Sequence, residues 1–245
     1  MLGAPWIRNL REGARFRWFC FPYAGGGSPD FRALGTRMPA DVELVPVLLP
    51  GRETRLGDTP IDDMGRLVTG LLEGLGPALR SAPFAFYGHS LGSWVAFEFT
   101  RALVRARRPL PTHLVAAARH APHLPDTRPK IAHLPDAAFL DAVEQRYGPL
   151  PAVIRRDPQL MGLFLPALRA DFGLLDAYRF VDAAPLPVPL SAWMGRDDAI
   201  VTRSQCSAWA VHTSAAFQLA EIPGGHFFLR DAADDVAQRL LALTP

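Results

Sequence analysis

Short apolar runs alternate with longer amphipathic stretches along most of this chain. Strands are expected at Phe16–Tyr23, Val42–Leu49, Phe84–Tyr87, Leu114–Ala118, Leu190–Met194 and Phe217–Ile222. Helices are expected at Pro29–Met38, Met64–Leu79, Leu91–Val104 and Ala232–Leu243. Such alternation predicts a mainly parallel sheet covered by helices on both faces, an α/β protein. Pro46 removes a ladder donor from the second strand, so that strand belongs at an edge or carries a bulge. The last helix opens with Asp231, Asp234 and Asp235 and carries Arg239 later, the polarity that suits a helix dipole.

The rhythm breaks between about Pro122 and Phe180, where no strand is apparent and helical patterning takes over. Asp136 can cap a helix carrying Phe139, Leu140 and Val143, with Gly148 ending it. Asp157-Pro158 offers an N-cap followed by proline at the first helical position, and Pro166 should kink the helix that follows. Helices rich in large apolar residues, inserted between two strands, read as a lid over a site at roughly 122–180. Ordinary crossover packing is the plainer alternative. The whole chain, 1–245, reads as one domain.

Composition narrows the classes. With 245 residues and 49% hydrophobic content, one large core can form. The net charge of +2 argues against a nucleic-acid footprint. Lys130 is the only lysine, and the cluster Arg101, Arg105, Arg107, Arg108 fits a helix C-terminus, with a docking patch for an acidic partner as the sharper reading. Cys20 and Cys206 are expected to be buried free thiols, since two cysteines make no disulfide framework. No apolar stretch suggests a signal peptide or a membrane span, so a cytoplasmic protein without membrane contact is expected.

Candidate chemistry begins at Gly88-His89-Ser90-Leu91-Gly92. A bare G-x-S-x-G turns up by chance in roughly one chain in ten of this length. Here it stands between a β-type run and an amphipathic helix, the context of a hydrolase nucleophile elbow. An idle serine in a glycine-rich turn is the bland alternative. A serine hydroxyl needs a base, and the base needs an orienting carboxylate; on this fold they follow in the order Ser, Asp or Glu, His. Of seven histidines, His89 adjoins the serine and is expected to pack away from it. His113, His120, His123 and His133 come too early, and His212 lies in a helix-like segment. His226 remains, in a glycine-rich loop after the last strand. The acid is Asp197 or Asp198, just past the strand ending at Met194, and spacing favours Asp198 without deciding; Glu221 lies within a strand. One oxyanion donor would be the Leu91 N–H, the other an N–H from the loop Phe21–Gly27, FPYAGGG. No Gly-Lys-Ser/Thr follows that loop, and no residues have metal-ligand spacing.

Together these segments resemble the type II (editing) thioesterases of polyketide and nonribosomal peptide synthesis, α/β-hydrolases with a helical lid. FPYAGGG is similar to that family's oxyanion loop, LPGRETRL at Leu49–Leu56 to its P-G-R-E segment, and GHSLG to its elbow. ARHAPHLP at Ala118–Pro125 resembles the approach to its lid, LPALRADFGLLDAY at Leu165–Tyr178 a lid helix, and GGHFF its histidine loop. The resemblance implies Ala24 as the first-loop donor, and Gly195, Asp198 and Val201 meet its G-x-x-D-x-x-V pattern, which implies Asp198 as the acid. It implies hydrolysis of acyl groups from the phosphopantetheine arm of acyl or peptidyl carrier proteins, with no metal or organic cofactor of the chain's own; separately, a monomer is expected. A generic carboxylesterase, lipase or acyltransferase on the same fold is the competing expectation.

Overall fold

The computed structural model describes residues 6–245. Six strands form one sheet: β1 Phe16–Phe21, β2 Val42–Pro46, β3 Phe84–His89, β4 Leu114–Ala117, β5 Leu190–Gly195 and β6 Phe217–Ile222. Their order is β2-β1-β3-β4-β5-β6, and every pairing is parallel. The helices are α1 Arg32–Gly35, α2 Met64–Leu75, α3 Leu91–Arg105, α4 Asp136–Tyr147, α5 Ala152–Arg156, α6 Pro158–Ala177, α7 Arg203–Ser207, α8 Phe228–Asp231 and α9 Ala233–Ala242.

A parallel sheet must bury both faces, and the strands alternate accordingly. Phe19 and Phe21 of β1 and Phe84 and Phe86 of β3 pack on one side, with α2, α3 and α6. Phe16, Trp18, Cys20, Ala85 and Tyr87 pack on the other, against α9. Phe86 lies 5.3 Å from Phe21 and 5.4 Å from Phe99 of α3, ring centre to ring centre. Removing that buried ring would cost about 3–5 kcal/mol. This ladder runs up to the end of β3, where the serine stands.

Pro46 is the last residue of β2, opposite Cys20 on an edge strand, so its missing N–H costs no interior bond. Several boundaries fall short of expectation. Pro22 ends β1 before Tyr23, and Gly76-Pro77 stops α2 at Leu75, leaving only a 3-10 turn at Ala78–Arg80. The Pro29–Met38 helix is a 3-10 turn, Ser28–Phe31, followed by the short α1. Asp231 closes α8 rather than opening the terminal helix.

Between β4 and β5 the chain inserts α4, α5 and α6. Asp157 caps α6, accepting from the Gln159 and Leu160 N–H groups, and Gly148 ends α4 at φ 87°. Asp136 does not cap α4: Pro135 holds that place, and the Asp136 carboxylate instead accepts from Arg169 of α6 at 2.6 Å. α6 runs through Pro166 as one element. Both cysteines are buried free thiols, and burial pushes both thiol pKa values up. Arg101 is buried, not solvated: it donates to Glu98 and to the Val181 carbonyl, while Arg107 and Arg108 lie beyond the end of α3. Among the described residues, no helix is long and apolar enough to cross a membrane.

Candidate active site

Ser90 occupies the single residue between β3 and α3, at φ 53° and ψ −113°. So sharp a reversal brings backbone onto backbone. A Cβ on Gly88 would overlap the Gly92 carbonyl, and one on Gly92 would overlap the Phe21 carbonyl. The Ser90 N–H donates to the Ala117 carbonyl at 2.7 Å, and Ser93 Oγ lies 2.9 Å from the Gly88 carbonyl oxygen and 2.8 Å from that of Ala117. The elbow is thereby sewn to the end of β4.

His226 follows β6 in the loop Pro223–Phe227, where Gly224 takes φ 101°. Its Nε2 lies 3.1 Å from Ser90 Oγ and its Nδ1 2.9 Å from Asp198 Oδ2. Asp198 Oδ1 accepts from the Ile200 and Val201 N–H groups at 2.7 and 3.2 Å, so both carboxylate oxygens are engaged and the side chain is wholly buried. Asp197 is exposed, and its N–H donates to the Gly224 carbonyl, tying the acid loop to the histidine loop. Of the two adjacent aspartates, therefore, the structure brings Asp198 to the histidine. Glu221 instead pairs with Arg203.

The other histidines bond elsewhere. His113 meets Ser191 Oγ at 2.8 Å, and His123 Nδ1 meets His212 Nε2 at 2.7 Å. His89 does more than pack. Its Nε2 donates to the main-chain carbonyl of His226 at 2.8 Å, and its Nδ1 accepts from the Tyr87 hydroxyl at 3.0 Å. Burial, aided by the nearby His226, lowers its pKa to about 3, which keeps the ring neutral and able to serve as donor and acceptor at once. Its place beside the serine, pointing away, excluded His89 as the base but did not reveal it as the support under the histidine loop. The signal was its position: strand alternation turns residue 89 to the opposite face from residue 90's approach.

Ala24 and Ser90 both line a cavity of about 190 Å³, and Leu91 opens α3, where the first N–H groups have no intrahelical acceptor. The cavity's apolar side comes from the insertion: Val143, Leu150, Ile154, Phe164, Leu168 and Phe172. The Tyr147 ring sits 5.4 Å from that of His226. At the polar side Tyr23 donates to Asp30 and accepts from Arg230, and Arg230 reaches Asp30 at 3.1 Å. Burial and the Asp30 charge push the Tyr23 pKa up, which holds the phenol protonated.

A nucleophile-base-acid arrangement at the carboxyl ends of parallel strands, beneath an apolar roof, suits acyl transfer from an apolar substrate. The family model described as Thioesterase domain matches residues 16–244. The chain belongs to this thioesterase family. It is 34% identical over 224 residues to the gramicidin S biosynthesis protein GrsT of Aneurinibacillus migulanus, covering 91% of this chain and 87% of that one. The RedJ thioesterase of the prodiginine pathway in Streptomyces coelicolor superposes with a TM-score of 0.85 at 32% identity, covering 94% of this chain and 86% of that one. YbtT, a type II thioesterase of the yersiniabactin NRPS/PKS pathway, does so with 0.84 at 30% identity, covering 96% and 94%. The thioesterase fold is thus that of the α/β-hydrolases, and its chemistry is thioester hydrolysis in biosynthesis.

Proposed function

We propose that the thioesterase clears acyl groups from the phosphopantetheine arms of acyl or peptidyl carrier proteins, using Ser90, His226 and Asp198 as its triad. The observation that carries this reading is the unbroken path from Ser90 Oγ through both ring nitrogens of His226 to the buried carboxylate of Asp198. His226 Nε2 takes the hydroxyl proton as Ser90 Oγ attacks the thioester carbonyl. Asp198 stabilises the resulting imidazolium and fixes its tautomer. The N–H groups of Ala24 and Leu91 receive the oxyanion, each contribution being on the order of 10²–10³ in rate. The pantetheine thiolate leaves with the proton from His226. Water, deprotonated by the same nitrogen, then releases the acid and restores Ser90. Every group in this scheme belongs to the chain itself, and pantetheine arrives with the substrate. The insertion serves as a lid whose apolar face receives the acyl chain. Kinship with proteins named for gramicidin S, prodiginine and yersiniabactin biosynthesis supports a carrier-bound substrate.

The test compares hydrolysis of an acyl-carrier thioester with that of the matching oxygen ester, with products followed by intact mass. Preference for the carrier thioester is expected. Faster oxygen-ester turnover, or transfer of the acyl group to an added alcohol or amine in place of water, would overturn the reading.

A further inference from the structure

Asp171 lies in the middle of α6 and Arg52 in the loop after β2, and both side chains are withdrawn from solvent, at 2% and 12% exposure. Arg52 Nη2 and Nη1 donate to the two carboxylate oxygens at 2.7 and 2.8 Å. A buried ion pair of this kind contributes little net stability, because the desolvation cost offsets the attraction. What distinguishes this one is where its remaining bonds go. Asp171 Oδ2 also accepts from the Gly25 N–H at 2.7 Å, and Arg52 Nη1 also donates to the Gly26 carbonyl at 3.0 Å. Both extra bonds thus fall on consecutive residues immediately after Ala24.

Other contacts hold the same loop. Gly25 takes φ 77°, and a Cβ there would come within 2.7 Å of Leu168 and 3.1 Å of Phe164, both on α6. At the far end Glu53, next to Arg52, accepts from both the N–H and the hydroxyl of Ser28. Beyond its own turn, in which the Gly26 N–H donates to the Tyr23 carbonyl and the Gly27 N–H to Asp30, the loop is therefore held by the neighbouring residues 52 and 53 and by one helix of the insertion.

We propose that Arg52 and Asp171 are positioning residues that couple the seating of α6 to the aim of the Ala24 N–H, so that the oxyanion site is complete only while the insertion is closed. The carboxylate fixes the plane of the Ala24–Gly25 peptide, and with it the torsion that orients the neighbouring N–H of Ala24. It also occupies the Gly25 N–H, which would otherwise compete for the oxyanion. Lifting α6 withdraws the carboxylate, frees the Gly25 N–H and leaves Arg52 without its partner. Hydrolytic power is then withheld until an acyl chain lies under a seated roof. This coupling rests on the proposed role of Ala24 as an oxyanion donor.

The test uses Asp171→Asn, Asp171→Leu and Arg52→Lys in the whole protein. Asparagine keeps an acceptor for Gly25 and loses the charge, while leucine loses both. Expected losses in kcat are about 10-fold for Asp171→Asn and Arg52→Lys and about 100-fold for Asp171→Leu, with KM within about twofold. Affinity for an alkyl boronic acid, which forms a tetrahedral adduct on the serine, should fall by the same factors, and affinity for the carboxylic acid product should not change. Should Asp171→Leu fail to fold, the two conservative variants carry the test alone. Unchanged kcat and boronate affinity in a folded variant would overturn the coupling, as would equal weakening of boronate and product. Ser90→Ala is run alongside: if it retained turnover, the functional reading would fall, whatever the Asp171 variants did.

Discussion

At the elbow, backbone presses on backbone. Gly88 meets the Gly92 carbonyl, Gly92 the Phe21 carbonyl, and Gly195 the carbonyl of Gly225 in the histidine loop. Across the cavity, Gly25 meets side chains, Leu168 and Phe164, and the loop is fastened by the Arg52–Asp171 ion pair and by hydrogen bonds between its backbone and charged side chains. Main chain in a sheet can give way only if strands move, whereas side chains give way by changing rotamer. The contrast separates two properties of the enzyme. On the proposed mechanism the floor holds Ser90, Asp198 and His226, while the roof would receive the acyl chain and reaches the Ala24 loop only through Asp171 and its neighbours on α6.

Breaking the floor should have the largest effects. Ser90→Ala and His226→Ala should each lower kcat by about 10⁴–10⁶ while thermal unfolding stays near that of the parent. Near-parental turnover in either variant would remove that residue from the mechanism. Asp198→Asn should cost about 10⁴ by leaving the wrong imidazole tautomer, and Asp197→Asn less than about threefold, as measured on one carrier-bound acyl substrate. A large loss at Asp197 alone would reverse the assignment.

Perturbing the roof should do less and do it selectively. Phe172→Ala should shift relative kcat/KM between short and long acyl groups by about 10-fold, with rates on a short acyl group kept within a few-fold. An equal loss on every chain length would remove Phe172 from acyl-chain selection. The smallest effect concerns acid stability. Burial lowers the pKa of His89 to about 3 and of His113 and His212 to about 4, from 6.5. The unfolded chain therefore binds more protons as pH falls, so the stability these rings confer is complete above about 6.5 and drains away towards 4. Each contributes a slope of up to ~1.4 kcal/mol per pH unit in that window. Replacing His113 by Phe should lessen the fall in unfolding free energy between pH 7 and 4, read from denaturation curves at each pH, because one proton fewer is then taken up on unfolding.

The same division governs how much could be read from the residues alone. The parallel sheet, the elbow and the loops bearing Asp198 and His226 were legible because each depends on local pattern: an apolar run, then glycine, then a polar residue at a strand's end. Choosing between Asp197 and Asp198 was not a local matter. By spacing either could have turned inward; the resemblance alone implied Asp198, and the register of the loop against Gly224 supplies the physical reason. Less legible still was the roof. Asp171 meets Arg52 across 119 residues, and Tyr147 comes to His226 only because α4 ends above the histidine loop. No periodicity announces such meetings. The Asp136 cap misled for a related reason, since Arg169, about three turns along another helix in the same insertion, takes the carboxylate that a lone helix would have turned on itself.

Ser90 keeps a main-chain conformation, φ 53°, that glycine adopts far more readily than any residue with a side chain. Glycine at that place would relieve about 1–3 kcal/mol and, on the proposed mechanism, silence the enzyme in the same stroke. Thermodynamic pressure and biological usefulness thus pull in opposite directions at one codon. In a lineage that no longer needed the activity, this residue should be among the first to drift, and the descendants would be sturdier than their working ancestor.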